Sequence, residues 1–383
     1  MIEVDIAFAL AGDLFRNSRA LKQINSLTSA GYSVHVLYLA GASTPFPLPQ
    51  GATAKAVSIE PGSGPAHFYR IHRAFSGVLA SVSARLYHAS DLYVLPACHS
   101  ASDRFEGTFS YDAREYYPHV AATSSRPWAR LWWSRIERKH IKKAAAVFTV
   151  SDSIADALLA DYSIARPVLV QNFPDVTHLP AENDLAASDA VDEIRTHLGL
   201  GDQHLIVHLG QMKAARGCEN LVRAMASVHS AHLAFLGYGR LEQKLKDLTA
   251  ELDLTHRVHF LEPIHPSNIL GFIRSADFGV TLLEDTCLNH RFALPNKLFD
   301  YINAGLPVLG SDLDEVRRLM SVHEIGMVAD SSRPGDIAQK LKTMINSTDR
   351  KLWVANTKVA SETFRWEYAS QRMMSPINHL LRA

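Results

Sequence analysis

The chain is poor in cysteine: three residues in 383, Cys98, Cys218 and Cys287, odd in number, far apart and without a CxxC pair. That excludes a disulfide framework and fits a reducing compartment, so the cytoplasm is the expected location and inert core thiols the simplest role. Neither sign of charge is in excess, Lys plus Arg and Asp plus Glu each numbering 39. No whole-molecule field therefore recommends nucleic acid as a partner. Uninterrupted apolar runs of about 18 residues are missing, which excludes an ordinary membrane-spanning helix and leaves peripheral contact as the only expected kind. The apolar stretch 1–12 lacks a basic flank and carries Glu3 and Asp5, so it reads as a first strand rather than a leader. Fixed-period repeats and low-complexity tracts are absent. No GxGxxG follows the first strand of either half, which disfavours a dinucleotide oxidoreductase.

What is present is alternation. At 383 residues the chain is long for one core, and roughly 100–200 residues per domain favours two. Residues 4–10 read as a strand, 18–30 as a helix stopped by Gly31, and 33–39 as the next strand. Ala20, Leu21, Ile24 and Leu27 recur at near-helical spacing, whereas Val34, Val36 and Leu37 are apolar and mostly β-favouring, so the period switches as a βαβ crossover requires. Further strands are expected at 85–89, 108–111, 146–150 and 167–171, giving a mostly parallel sheet with helices on both faces. Between Asn172 and Asp202 the pattern lapses into Pro174, Pro180, Asn183 and Asp184. A second series then runs through 204–209, 233–236, 258–260, 278–282 and 307–310. The expected organisation is one α/β domain at 1–175, another at 203–364, and a helical tail at 365–383 able to fold back across the junction.

The most informative stretch is ALPNKLFDYINAGLPV at 293–308, a loop opening a short helix. Pro295 suits the first helical turn and Gly305 the C-terminal cap. Unpaired N–H groups at a helix start favour an anion. Lys297 in that turn adds a full positive charge where the helix dipole is already positive, which a bound anion would explain. The alternative is a solvated lysine on an exposed turn.

That stretch, with HLGQMKAARGCENLVRA at 208–224 and RVHFLEPIHPSNILGFIRSADFGV at 257–280, resembles the donor domain of family-four, GT-B glycosyltransferases. FRNSRALKQINSLTSAGYSVHVL, HASDLYVLPA, SYDAREYYPHV and AAAVFTVSDSIADALL resemble first-half segments of the same family in the same order. The resemblance covers nearly the whole chain. It implies an α/β, GT-B fold, two doubly wound Rossmann-like domains facing across a cleft, and a retaining transfer from a nucleotide sugar, UDP- or GDP-linked. Arg216 and Lys297 are implied to grip the donor diphosphate. This agrees with Arg216 lying in the loop after a strand, where doubly wound sheets bind ligands, and with two cations opposing the charge that grows on the leaving group. No metal cofactor is then needed. Gly210 ends the strand before that loop. Asp300 stands where the family usually has a glutamate on the ribose, one methylene shorter here. Asn289, His290, Leu294 and Asn296 fall in or beside the loop that faces the donor sugar, and Glu262, with Pro263 and Ile264, follows the strand whose backbone frames the base.

On the acceptor side, Gly12, Arg16 and Asn17 lie in the loop after the first strand, where Asn17 or Ser18 equally reads as a helix cap. Asp112, Arg114 and Glu115 follow the strand at 108–111. Relatives commonly carry histidine where Arg114 stands; arginine cannot serve as a base near neutral pH, so it would position an acceptor or a phosphate, while Asp112 also reads as a turn residue. The implied reaction lets the donor phosphate accept the acceptor proton and needs no carboxylate pair of glycosidase type. Asp312 and Asp314 flank Leu313 before a helix and read as caps rather than metal ligands. His204 and His208 read as core or surface histidines. Residues 126–143 combine Trp128, Trp132 and Trp133 with Arg126, Arg130, Arg135, Arg138, Lys139, Lys142 and Lys143. That helix would either lie on an anionic membrane surface or tuck its indoles inward. Expected partners are the nucleotide sugar and a carbohydrate, lipid-linked or small-molecule acceptor, as in polysaccharide or glycoconjugate synthesis. A GT-B nucleotide-sugar epimerase and a non-catalytic nucleotide-binding scaffold are the competing readings, the second motivated by Arg114 and Asp300.

Overall fold

The structure, a computed structural model, describes residues 1–176 and 193–382; Pro180, Asn183 and Asp184 of the expected linker lie outside the described residues. The chain divides into two compact units, one of residues 1–172 with 366–383 and one of residues 173–365.

The first unit holds strands β1 (Ile2–Leu10), β2 (Val34–Leu39), β3 (Ala52–Val57), β4 (Val82–Ala89), β5 (Thr108–Ala113), β6 (Ala146–Thr149) and β7 (Val168–Leu169). They pair in parallel in the order β3-β2-β1-β4-β5-β6-β7. Residues Ile6, Ala7, Phe8, Ala9 and Leu10 of β1 are wholly buried, the uninterrupted apolar run demanded of a strand covered on both faces. The helix Ser18–Ser29 begins at Asn17, whose side chain accepts from Ala20 N at 3.0 Å, and buries Ala20, Ile24 and Leu27. Gly31, at φ 89°, turns the chain out of it, with Tyr32 N donating to Leu27 O. The helix Trp366–Arg382 packs on this unit through Trp366, Ala369, Met373, Ile377 and Leu381. Trp366 Nε1 donates to Ser26 Oγ at 3.0 Å, and Tyr32 Oη to Asn378 Oδ1 at 2.8 Å.

The second unit holds β8 (His204–Leu209), β9 (Ala231–Leu236), β10 (Val258–Leu261), β11 (Phe278–Thr281), β12 (Val308–Ser311) and β13 (Gly326–Ala329). Their order is β10-β9-β8-β11-β12-β13, again all parallel. Each sheet reverses its winding once, between β1 and β4 and between β8 and β11. The crevice beyond the strand C-termini at such a reversal is where open α/β sheets bind ligands.

Three local expectations are corrected. Pro295 precedes the helix Asn296–Asn303 with an extended backbone (φ −63°, ψ 132°) instead of opening its first turn, while Gly305 (φ 75°) closes it as expected, Leu306 N reaching back to Tyr301 O. Neither Asp312 nor Asp314 caps the helix Asp314–His323; both lie beside the Arg317 guanidinium. The edge strands β3 and β13 were not expected: β3 exposes four of its six residues, and a strand with one neighbour and little burial leaves no alternating signal.

Candidate functional site

The crevice of the second unit is built from the loop after β8 and the loop after β11. The first needs residues able to turn left-handed: Gly210, Ala215 and Gly217 have φ of 90°, 62° and 67°. Gly217 also lies so close to β11 that a Cβ would stand 2.5 Å from the Leu282 carbonyl oxygen. Backbone bonds pin this loop to its neighbours, Gly210 N to Leu236 O at 2.8 Å, Met212 N to Tyr238 O at 2.9 Å and Glu284 N to Ala215 O at 3.1 Å. The helix Cys218–Met225 starts directly behind it.

Lys297 reaches into the same crevice from the first turn of the helix Asn296–Asn303, half-buried, with Nζ 3.0 Å from His208 Nε2. Burial lowers the Lys297 ammonium to about 7; Arg216 and Lys213 push the same way, against Cys218 and Asp300. The Arg216 charge is also felt at His208, Cys218 and His290. Arg216, Lys297, Asp300, Lys213, His208 and His290 therefore share one electrostatic environment, with three cationic side chains around one carboxylate. Such an array favours an anion bearing more than one negative charge.

Asn289 is buried on the turn Leu288–Arg291. Beside it His290 Nδ1 lies 2.8 Å from Thr286 Oγ1 and 2.9 Å from Glu284 O. Leu294 is half-buried just ahead of the Lys297 helix, and Asn296, its first residue, is exposed. Glu262 is exposed after β10, two strands from β8.

In the first unit, Gly12 O accepts from Leu39 N at 3.1 Å and Arg16 is exposed on a short 3-10 turn. Asn17 is the helix cap already described. Asp112 is not available to a ligand: it is wholly buried, and its carboxylate is held by Arg19 and Gln23. Burial works to raise its pKa, yet the charge and hydrogen bonds of Arg19 hold it below the usual range. Arg114 points elsewhere, Nη2 lying 3.5 Å from Asp91 Oδ2, and Glu115 is exposed. Asp91 is a residue the sequence did not single out. It sits beyond β4 at the winding reversal, 2% exposed, accepting from Ala11 N at 2.9 Å and Tyr93 N at 2.8 Å, and ties the loops after β1, β4 and β5 together.

His208 is the larger omission. By its sequence it reads as a core or surface histidine, and it is buried, but its ring touches the cation of the site. His204, at the other end of β8, faces Asp277 at 3.9 Å. The signal for His208 was its place two residues before Gly210, at the ligand end of the strand. Among the described residues no group of three or more His, Cys, Asp or Glu is arranged to hold a metal ion.

Two parallel doubly wound units, each with polar residues at its winding reversal, define the GT-B class of architecture. Residues 203–347 match the family model of glycosyl transferases group 1, and residues 17–172 that of the glycosyl transferase 4-like domain. The chain belongs to the family-four glycosyltransferases of GT-B fold. Sucrose-phosphate synthase from Thermosynechococcus elongatus superimposes with a TM-score of 0.78 at 15% identity, covering 100% of both chains. HepE of Anabaena, solved in complex with UDP, gives 0.74 at 14% identity over 98% of this chain and 100% of its own. An uncharacterized glycosyltransferase of Methanocaldococcus jannaschii is 22% identical over 242 residues, 59% of this chain and 57% of that relative, so the match spans little more than half of that protein.

Proposed function

We propose that the chain is a retaining glycosyltransferase. It takes a sugar from a nucleoside-diphosphate donor, UDP- or GDP-linked, held by the second unit, and passes it to an acceptor hydroxyl held by the first. The observation that carries this is Lys297 brought into the electrostatic reach of Arg216 at the winding reversal of β8 and β11. A guanidinium and an ammonium there neutralise the diphosphate as the sugar bond breaks, the role a divalent cation plays elsewhere. UDP in the crystal of the similar HepE supports a uridine nucleotide as the first donor to test. Asp300, on the Lys297 helix, is the ribose contact, and Asn289, Leu294 and Asn296 surround the sugar. The leaving phosphate accepts the acceptor proton on the face it vacates, so no side-chain base is required. Gly12, Arg16, Arg114 and Glu115 lie toward the acceptor, and Asp112 acts behind them as a support.

The acceptor is a carbohydrate, lipid-linked or small-molecule hydroxyl compound of polysaccharide or glycoconjugate synthesis. Trp128 and Leu131 are 59% and 51% exposed on the basic helix Pro127–Ile141, which supports peripheral contact with an anionic membrane. Trp132 and Trp133 turn inward on Phe68 at 5.1 and 5.0 Å between ring centroids. No helix among the described residues is long and apolar enough to cross a membrane.

The test is thermal unfolding against UDP, GDP, ADP and dTDP in parallel, followed by transfer assays with the sugars of the nucleotide that binds. Ligand at about 100 times its dissociation constant adds about 2.7 kcal/mol, a shift of several degrees. A shift with one nucleotide supports the reading. Release of free altered nucleotide sugar without any acceptor would favour an epimerase, and binding without turnover a scaffold.

A further inference from the structure

His208 is 1% exposed at the end of β8, with Nε2 3.0 Å from Lys297 Nζ and 3.7 Å from Cys218 Sγ. Its Nδ1 has no hydrogen-bond partner among the described residues. The flanking strand residues Leu205, Ile206, Val207 and Leu209 are apolar and buried. An aliphatic side chain would pack there without stranding a ring nitrogen, so the imidazole is retained at a cost in stability. Among the described residues its one polar contact besides the Cys218 thiol is the lysine of the donor site. Burial, together with Lys297 and Arg216, holds the His208 pKa well below its ordinary value. The ring is thus neutral, and Nε2 is the atom through which it shares a hydrogen bond with Lys297.

We propose that His208 is a positioning residue for the donor: it holds the Lys297 amine beside Arg216 in the empty site and yields it to the arriving phosphate, coupling donor binding to uptake of one proton by Lys297. This rests on the donor reading given above. The groups facing Lys297 are Cys218 and Arg216 behind β8, Lys213 in the same loop, and Asp300 one helical turn on. With the site empty, the amine loses its proton as pH rises through about 7. A phosphate against it favours the ammonium, and the proton comes from solvent. Affinity is therefore fullest below that pH and falls toward about tenfold per unit above it. The nucleotide's own terminal phosphate is half titrated near about 6 and essentially fully ionised by about pH 8, where it adds nothing to the proton count.

The experiment is calorimetry of UDP and GDP binding at about pH 8 in two buffers of different ionisation enthalpy, which counts protons independently of affinity. The wild type is expected to take up close to one proton per nucleotide, and Lys297→Ala none. His208→Phe keeps a ring but removes the acceptor. The half-exposed lysine then turns to water, so proton uptake falls to a small fraction and affinity near neutral pH drops several-fold. His208→Gln, which retains an acceptor, keeps most of the uptake. Binding by the wild type without proton uptake, or undiminished uptake in His208→Phe, overturns the inference and leaves the donor reading standing. If the phenyl variant does not fold, His208→Leu, which also lacks an acceptor and suits the apolar surroundings, takes its place, and undiminished uptake in it overturns the inference equally. No binding of UDP, GDP, ADP or dTDP by the wild type would overturn both.

Discussion

The Arg19 guanidinium grips both carboxylate oxygens of Asp112, Nε at 2.8 Å from one and Nη2 at 2.7 Å from the other, with the two side chains 5% and 0% exposed. Arg19 also donates to the Val170 carbonyl, and Gln23 Nε2 adds 2.9 Å to the carboxylate. The pair joins the helix Ser18–Ser29 to β5 and to the segment after β7. Removing one partner strands the other charge in the interior, a loss of about 3–5 kcal/mol, whereas replacing both by apolar residues is much less harmful. Asp112→Ala is expected to lower the denaturation midpoint of the first unit strongly, and Arg19→Met with Asp112→Leu to recover much of it. Nucleotide binding by the second unit stays intact throughout. An Asp112→Ala protein of unchanged stability that fails only in transfer would return this residue to the acceptor site.

Lys297→Ala and Arg216→Ala are each expected to weaken nucleoside-diphosphate binding by about ten- to a hundredfold, since a hydrogen bond to a charged group contributes about 1.5–3 kcal/mol. Lys297→Ala also relieves a half-buried amine of its desolvation, so unliganded stability should hold or rise slightly. Isothermal titration beside thermal unfolding separates the two effects. Unchanged affinity in both variants would remove the phosphate assignment.

The sequence made most of the fold legible because interior parallel strands are continuous apolar runs: β1, β2 and β8 announce themselves by composition. What it concealed lies at edges and in long-range pairs. β3 and β13 each have one neighbour, and no periodicity marks them. Asp112 read as a turn residue or an acceptor contact because its partner Arg19 is 93 positions away and on another element. His208 reads as a core or surface histidine for the same reason, since only folding brings it to Lys297, 89 positions on. The placement of Lys297 at a helix start and of Arg216 in the loop after β8 was legible because both are local features of the chain.

The exposed indole of Trp128 lies in the first turn of the helix Pro127–Ile141, with Arg126 just before that helix and Arg130, Arg135, Arg138 and Lys139 along it. Each basic residue near an anionic bilayer contributes about 1 kcal/mol, screened by salt. Flotation with vesicles of anionic phospholipid is expected to carry the protein at low ionic strength and release it at high, and neutral vesicles to carry little. Trp128→Ser with Leu131→Ser should reduce the bound fraction several-fold without altering nucleotide affinity. Equal flotation with neutral vesicles would argue against an electrostatic membrane contact.

Glu137, on the inward side of that helix, is wholly buried and accepts from Tyr111 Oη at 2.6 Å and Tyr162 Oη at 2.8 Å. Burial raises its carboxyl from 4.5 to about 7, the two tyrosine hydrogen bonds opposing and the Asp161 charge assisting. Because the folded state binds the proton more tightly than the unfolded chain, the stabilisation is complete below the unfolded pKa and is lost as pH rises from about 4.5 to about 7. At 1.36 kcal/mol per unit the full loss is roughly 3 kcal/mol, most of it falling between about pH 5 and pH 7.5. Glu137→Gln keeps the shape and an acceptor for a tyrosine but cannot ionise. Denaturant midpoints of the first unit across that window should therefore decline for the wild type and stay nearly level for the variant, so that the variant gains on the wild type toward neutral pH. Parallel slopes would mean that Glu137 is ionised in the folded protein throughout, with the two tyrosine hydroxyls supplying enough solvation to hold a buried charge.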